Sequence, residues 1–533
     1  MRVLLVTGLM AKEVVERYSK QSDKETSIIA LPISIAAFMT PEFAAQELQK
    51  RDLTGINLIL LPGAVRGDVS VVETATGIPT FKGPLYAADI PSVLEYVAEV
   101  PLSKMTPASD LLQSRFKTDL QRELETAEQE GLKSMEADGG FFIGKGNFRV
   151  ALGASFPMRV VAEIVDAPRL SDAEIEHRAS YYVESGADIV DFGMIAGEPH
   201  QEEIKRIVEA ARATITCPIS IDTLNPKEIR AAVKAEMDLV LSLDLGNVDE
   251  LAPFVQDTPV VITPTNMKKG LHFPMPAQRV AALEDCIGRA RELGIRNVIA
   301  DPILDPPVSP GFLKALEAYS LFSKRNPAVP LFLGAGNVTE LIDIDSTGIN
   351  GLLAAAASEL GACLLFAPEH SDKARGSISE LATASRMMLI AKRRHSVPKD
   401  LCLNMLILKD KRFREEPYDR ALERSVEILE PKDTESFEED RKGWFKILLD
   451  RSARKIVLLH FPSGQTATPS MVLKGTTAKT LYHMAIEKGL LSKLEHAAYL
   501  GNELAKAEIA LSIGKSYIQD ETLFTQSLLG STG

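Results

Sequence analysis

The sequence is poor in cysteine, in long apolar runs and in basic charge. Its four cysteines (Cys217, Cys286, Cys363 and Cys402) are scattered without a CxxC pair, and the cysteines and histidines lack the spacing of zinc ligands. No apolar run is long enough to span a bilayer, and the N-terminal MRVLLVTG predicts a strand that ends at Gly8 rather than a secretory signal. We therefore expect free thiols in a reducing cytoplasm and no membrane partner.

The chain is acidic as a whole. Its net charge is −13 over 533 residues, whereas a nucleic-acid or anionic-membrane partner requires a basic face. This excludes nucleic acid as an expected partner but leaves room for a local cationic pocket for one phosphate. The length exceeds what one hydrophobic core usually organises, so two to four domains are expected.

The regions that flank the centre of the chain predict separate modules. Residues 1–105 carry four short apolar segments and predict an open, Rossmann-like α/β domain, although the first turn has one glycine and no dinucleotide fingerprint. Residues 106–157 predict a charged amphipathic helix and a hairpin that leads into the next domain and plugs its bottom. Residues 400–533 predict an α+β accessory domain, with strands in LCLNMLILKD and RKIVLLHFP and two helices after them.

The central region, residues 158–399, repeats apolar strands and helical patterns eight times. Near-continuous apolar strands that alternate with helices indicate a parallel sheet covered on its outer face. Eight such units in about 240 residues predict a closed (β/α)8 TIM barrel. The predicted strands are VVAEIV (160–165), DIVDFG (188–193), PISID (218–222), LVLSLD (239–244), PVVITP (259–264), NVIAD (297–301), PLFLG (330–334) and ACLLF (362–366).

Polar residues stand where nearly every predicted barrel strand ends. In such barrels the reacting groups lie at the C-terminal ends of the strands, and unpaired carboxylates are costly to bury. We therefore expect a polar mouth that binds a ligand. A 2-amino-4-oxopteridine could donate two N–H groups to one carboxylate, and a cluster of acids could equally bind Mg²⁺. The strand-end residues are Asp166, Asp191, Asp222, Asp244, Asn247, Asp301, Asn337 and His370.

Four of these strand segments resemble the pterin-binding family, which contains dihydropteroate synthases and methyltetrahydrofolate-dependent corrinoid methyltransferases. The segments are GADIVDFG (186–193), PISIDT (218–223), VVITPTNMKKG (260–270) and NVIADPILDP (297–306). The resemblance implies a barrel of the dihydropteroate synthase type that binds a reduced pterin. It assigns pterin binding to Asp222 and Asp301 first, and further pterin contacts to Asp191, Asp244, Asn247 and Asn337.

Three loops depart from the synthase pattern. The loop GAGNVTE (334–340) has Asn337 and no cation, and it is similar to the methyltransferase loop whose asparagine addresses N5 of the pterin; Asn337 is therefore also a candidate catalytic residue. VDAP (165–168) stands where synthases have Asn-x-Thr-Pro, so Asp166 is a candidate catalytic residue and Mg²⁺ ligand. EHSDKARGS (369–377) offers His370, Lys373 and Arg375 as a phosphate site.

The arrangement of the whole chain resembles the dihydropteroate synthase-related proteins of organisms that use tetrahydromethanopterin. This resemblance implies a transferase of carrier biosynthesis, which joins a dihydropterin-methyl diphosphate to an aryl-amine phosphate, with Mg²⁺. The alternatives are a methyl-tetrahydropterin-dependent methyltransferase with a corrinoid partner protein and a non-catalytic pterin-binding scaffold. A homodimer is expected in each case.

Overall fold

The computed structural model describes residues 1–97, 101–197, 199–399, 401, 403–409, 420–431, 439–464 and 468–524. The chain divides into two compact units, Met1–Met405 and Leu406–Gly533. No helix within the described ranges combines the length and the apolar composition needed to cross a membrane. The domain boundaries expected at residues 105, 157 and 399 stay predictions.

The first unit opens with a four-stranded parallel sheet. Its order is β2-β1-β3-β4, so β1 and β3 are central. Both faces are buried because alternate residues of β1 and β3 pack into two separate apolar clusters. The strands are β1 (Val3–Gly8), β2 (Thr26–Leu31), β3 (Leu58–Leu61) and β4 (Thr80–Lys82), and the helices are α1 (Lys12–Ser19), α2 (Pro41–Leu48), α3 (Ser70–Thr76) and α4 (Ile90–Tyr96).

A long helix and a hairpin follow. After the short α5 (Ala108–Leu111), α6 covers Gln113–Ser134, and the antiparallel strands β5 (Phe141–Ile143) and β6 (Val150–Leu152) form the hairpin. Ile143 and Leu152 belong to the same buried cluster as Val161, Ile189 and other side chains of the barrel strands. The hairpin thus packs against side chains of the barrel interior, and its expected role as the plug of the barrel bottom stays a prediction.

Eight parallel strands close into a barrel, which confirms the predicted fold. Their order around the barrel is β7-β8-β9-β10-β11-β14-β15-β16, and β16 pairs with β7. A two-stranded ribbon, β12 (Thr265–Asn266) and β13 (Leu271–His272), follows the fifth strand. The barrel strands are β7 (Arg159–Ile164), β8 (Ile189–Gly193), β9 (Ile219–Asp222), β10 (Leu239–Leu243), β11 (Val260–Ile262), β14 (Val298–Ala300), β15 (Leu331–Gly334) and β16 (Ala362–Pro368).

Helices surround the barrel and begin and end at recognisable signals. Ser171 and Glu174 form a capping box at α7, and the Asn225 side chain accepts a hydrogen bond from the backbone N–H of Lys227 at α9. Gly361, which ends α14, has φ +78°. The helices are α7 (Asp172–Glu184), α8 (Ile204–Thr214), α9 (Pro226–Lys234), α10 (Val248–Val255), α11 (Pro276–Glu292), α12 (Phe312–Arg325), α13 (Gly336–Thr339), α14 (Ser346–Leu360) and α15 (Ser377–Arg393).

The second unit contains an antiparallel sheet of β17 (Trp444–Asp450), β18 (Lys455–Phe461) and β19 (Met471–Gly475). One face of this sheet packs against α16 (Ala478–Glu487) and α17 (Leu494–Ile513). The strand predicted in RKIVLLHFP is β18. The strand predicted in LCLNMLILKD is wrong over residues 403–409, which form no regular element; Cys402 and Asp410 lie outside the described residues.

Candidate functional site

Carboxylates occupy the C-terminal end of the barrel interior. Side chains two residues apart in a strand lie on the same face, so Glu163 follows the interior residue Val161, and Asp191 follows the interior residue Ile189. The same spacing places Asp301 after Ile299, and Asp222 ends β9. These four acids form what we call the mouth of the barrel.

Glu163 depends on a glycine in the neighbouring strand. It pairs in register with Asp191 of β8, and its carboxylate occupies the space beside Gly193. A Cβ on Gly193 would lie 2.2 Å from Oε1 of Glu163. A side chain at position 193 would therefore displace the Glu163 carboxylate from this position.

Asp191 is the deepest of the acids. Its side chain is fully buried, and its Oδ1 accepts a hydrogen bond from the Ser220 hydroxyl at 2.5 Å. Its Oδ2 is buried and has no hydrogen-bond partner among the described residues. A buried carboxylate oxygen without a partner costs roughly 1–3 kcal/mol or more, so this oxygen requires a proton or a ligand.

Asp222 and Asp301 are the two acids most open to a ligand. The Asp222 carboxylate makes no hydrogen bond with any described residue, and the side chain is half-buried. Oδ1 of Asp301 accepts hydrogen bonds from the Tyr319 hydroxyl at 2.7 Å and from the backbone N–H of Ile303 at 2.8 Å. These bonds fix the orientation of Asp301 and leave its Oδ2 to face a ligand.

Burial and mutual repulsion shift the ionisation of the mouth. Desolvation, together with the charge of Asp222, raises the pKa of Glu163 to about 8. Desolvation, followed by the charge of Asp301, raises the pKa of Asp222 to about 7, and desolvation raises the pKa of Asp301 to about 6. The pKa of Asp191 is raised well above its ordinary value for the same reasons. No described lysine or arginine forms an ion pair with any of the four.

Three of the four acids have the spacing of a metal site. Glu163, Asp191 and Asp222 each offer one carboxylate oxygen, and these oxygens lie within 4.8 Å of one another. We call these three residues the acid cluster. Carboxylate oxygens are ligands for hard cations such as Mg²⁺.

The structure gives Asp244 and Asn247 structural partners instead of open ligand groups. The Asp244 carboxylate accepts hydrogen bonds from the Gly246 N–H, the Thr265 hydroxyl and the Met267 N–H, at 2.7–2.8 Å. The Asn247 amide donates to two backbone carbonyls and accepts from the Asp244 N–H. Both side chains therefore hold the loop after β10, which corrects the expectation that they face the pterin.

Asn337 lies at the mouth end of β15, in the short helix α13. Its amide N–H₂ donates to the Leu304 carbonyl at 2.9 Å, and its Oδ1 accepts no hydrogen bond from the described residues. The residue is exposed. Its roles in pterin binding and catalysis stay predictions.

Asp166 lies outside the acid cluster. It has φ +52°, its side chain is 40% exposed, and it forms an ion pair with Arg169 at 2.7 Å. Because the ion pair with Arg169 partly neutralises its carboxylate, Asp166 is a weaker candidate Mg²⁺ ligand than the residues of the acid cluster. Its expected catalytic role stays a prediction.

One cation of the expected phosphate site after β16 has structural partners. Lys373 donates from Nζ to the backbone carbonyls of Thr339 and Ile342, so its ammonium holds the preceding loop and is not directed to a ligand. His370 is exposed, and its backbone N–H donates to Glu340 at 3.0 Å. Arg375 is exposed and remains a candidate phosphate ligand.

Sequence reasoning missed Glu163 and a buried arginine. The signal for Glu163 is a lone acid within the apolar strand VVAEIV. Arg279 on α11 is 7% exposed; it pairs with Asp305 at 2.7 Å and donates to the carbonyls of Phe273 and Ile303. It thereby fixes the loop that follows Asp301. In the sequence Arg279 is recognisable only as a charged residue of α11, and this position does not indicate that its side chain is buried.

Comparisons with known proteins agree with this geometry. Residues 166–363 match the family described as pterin binding enzyme, residues 439–520 match PterinBD-DUF4346, and residues 1–85 match DUF6513, a family of unknown function. Solved dihydropteroate synthases are similar in the barrel. The Xanthomonas albilineans enzyme with 4-aminobenzoic acid is 20% identical over 47% of this chain and 96% of that one, with a TM-score of 0.36. The Yersinia pestis enzyme with a pterine-sulfa conjugate is 17% identical over 48% of this chain and 100% of that one, with a TM-score of 0.38.

A relative matches over almost the full length. "Uncharacterized protein MJ0107" of Methanocaldococcus jannaschii is 40% identical and covers 98% of this chain and 99% of its own. A "Ycf91-like protein" of Nostoc is 32% identical over 15% of this chain and 83% of its own length. The chain therefore belongs to the family of the Methanocaldococcus jannaschii protein MJ0107, and residues 166–363 within it match the family described as pterin binding enzyme.

Proposed function

We propose that the mouth binds a reduced pterin and that the protein is a transferase acting on that pterin. The observation that carries the proposal is the pair Asp222 and Asp301, whose carboxylates keep oxygens open at the ends of β9 and β14. One such carboxylate can accept both the ring N–H and the adjacent amino group of a pterin. Asp191 and Asn337 are further candidate contacts.

The first candidate reaction is of the synthase type, in the biosynthesis of a tetrahydromethanopterin-like carrier. An aryl-amine nitrogen forms a bond to the C6 methylene of a dihydropterin, and the bond from this carbon to the diphosphate oxygen breaks. The departing diphosphate needs positive charge. Arg375 and Mg²⁺ would supply it, and Arg375 is exposed after β16.

The second candidate is methyl transfer from the N5 of a methyl-tetrahydropterin. Two observations favour it: Lys373 is engaged by backbone carbonyls, and Asn337 keeps an open Oδ1 among the described residues. In this reaction no diphosphate leaves, so no cation is needed to stabilise a leaving group. The acceptor would be a corrinoid on a partner protein. A non-catalytic scaffold is the remaining alternative, and a homodimer is expected in all three cases.

Titration of full-length protein with 7,8-dihydropterin and tetrahydromethanopterin, followed by pterin fluorescence, tests the binding proposal. We expect saturable binding, which Asp222→Ala and Asp301→Ala each weaken by about 1.5–3 kcal/mol, the scale of a hydrogen bond to a charged group. Asp244→Asn, which alters the neighbouring loop, is the control for indirect effects. Absence of binding for every reduced pterin would refute the proposal.

Activity assays with and without chelator separate the two reactions. The synthase reaction should require Mg²⁺ and should be lost in Arg375→Glu while pterin binding persists. Methyl transfer should continue in chelator and should depend on Asn337, so Asn337→Ala should then do the greater damage.

A further inference from the structure

The acid cluster contains more negative charge than pterin binding alone explains. Glu163 of β7 pairs in register with Asp191 of β8. Asp222 of β9 pairs in register with Gly193, two residues after Asp191 in β8. One oxygen from each lies within 4.8 Å of the others. Three carboxylates this close repel one another strongly unless a positive charge lies between them.

A second observation comes from Asp191. Its side chain is fully buried in the cluster, Ser220 satisfies its Oδ1, and its Oδ2 has no partner among the described residues. Buried polar groups in proteins almost always have partners. The unpartnered carboxylate oxygen of Asp191 therefore requires a proton, a hydrogen-bond donor or a cation, and a cation would also offset the repulsion within the cluster.

The protein's own cations do not fill this place. Arg169 pairs with Asp166, Arg279 pairs with Asp305, and Lys373 bonds to backbone carbonyls. Among the described residues none reaches the cluster as an ion pair. The carboxylates of the cluster can therefore be neutralised by protons, or, where they are ionised, by a cation from solution.

We propose that Glu163, Asp191 and Asp222 form a binding site for a divalent cation of the Mg²⁺ or Mn²⁺ class. The donors are all hard carboxylate oxygens, without nitrogen or sulfur, which suits these cations better than zinc or copper. Three protein oxygens leave coordination positions for water or for a ligand. Asp222 gives one oxygen to the cluster and keeps the other for a pterin, so the two sites adjoin and the cation site does not depend on pterin binding.

Binding of Mn²⁺ to chelator-treated full-length protein at pH 8.5 tests the site, by calorimetry and by the loss of the free-ion electron paramagnetic resonance signal. We expect one Mn²⁺ per chain, and Glu163→Gln should weaken binding roughly 100-fold, because loss of even a supporting residue can cost that much. Glu184→Gln, which removes an exposed carboxylate at the end of α7, should leave the affinity unchanged. Mg²⁺ should compete for the same site.

Three results would overturn the proposal: no binding by the wild type at millimolar Mn²⁺, binding unaffected by Glu163→Gln, or binding lost in Glu184→Gln. Asp191→Asn provides a second variant, and circular dichroism shows whether each variant is folded. Pterin titrations in chelator keep the two proposals separate, because pterin affinity can persist when the cation site fails.

Discussion

Replacing Glu163 with glutamine should stabilise the cation-free protein, and more so as the pH rises. The pKa of Glu163 is raised from 4.5 to about 8 in the folded state, so folding favours the protonated form. Below pH 4.5 Glu163 is protonated in both the folded and the unfolded chain, so its charge does not affect the free energy of unfolding. As the pH rises towards 8 the unfolded chain ionises freely, and the folded state loses stability relative to it.

The size of the effect follows from the two pKa values. The difference, 8 − 4.5 = 3.5, at about 1.4 kcal/mol for each pH unit, sets an upper bound near 5 kcal/mol. Burying the glutamine amide offsets part of the gain. We expect a stabilisation of about 1 kcal/mol or less at pH 5 and about 2–4 kcal/mol at pH 8.5.

Urea unfolding in chelator at both pH values measures this difference. The transition must be followed by circular dichroism, because Trp444, the single tryptophan, lies in the second unit and does not report on the barrel. Glu184→Gln, which removes an exposed carboxylate from the end of α7, is the matched control and should change stability by less than about 0.5 kcal/mol. An equal effect of Glu163→Gln at pH 5 and pH 8.5 would refute the electrostatic reasoning.

Three further outcomes follow. Pterin affinity should rise about tenfold from pH 6 to pH 8, because the pKa of Asp222 is about 7 and its carboxylate accepts N–H groups when ionised; a flat profile in the binding titration would contradict this. Gly193→Ala should lower the free energy of unfolding by about 1 kcal/mol or less, because the new Cβ would lie 2.2 Å from Oε1, the end of the flexible Glu163 side chain, which can move aside; urea unfolding measures it, and a loss above about 3 kcal/mol would count against the geometry. Arg279→Ala should cost about 3–5 kcal/mol in the same assay, because it leaves Asp305 buried and unpaired; a loss below 1 kcal/mol would show that the pair is dispensable.

The barrel could be predicted from the sequence because its strands obey a local rule. A strand buried on both faces must be apolar along its length, so the eight segments and the helices between them are visible as a pattern. Asp222 and Asp301 could be located for the same reason, since each lies at the end of an apolar segment. Their position follows from where a strand ends, and their proposed role in pterin binding rests on the resemblance to the pterin-binding family.

The rest of the site depends on partners that are distant in the chain. Whether Glu163 faces the interior depends on register with β8 and on the space beside Gly193, thirty residues away. Lys373 is engaged by carbonyls about thirty residues earlier. Asp244 looks like a ligand group in the sequence, yet its carboxylate satisfies its own loop and the ribbon after β11. Such hydrogen bonds leave no periodic signal.

The second unit and the amino-terminal sheet do not indicate a function, for a different reason. Their buried apolar residues are explained by packing, as in the cluster formed by Phe445, Leu458 and Leu504. Their buried polar residues include Asp440, which accepts hydrogen bonds from Ser492. The mouth differs because it brings several acids together, and one of them, Asp191, has a buried carboxylate oxygen without a partner among the described residues, which packing cannot explain. Folding places Glu163, Asp191 and Asp222 together against their mutual repulsion, and this arrangement lowers the stability of the cation-free chain. Binding of a cation or of a ligand rich in N–H donors relieves this repulsion, and the relief adds to the binding free energy. The instability of the mouth and its capacity to bind therefore have the same physical origin.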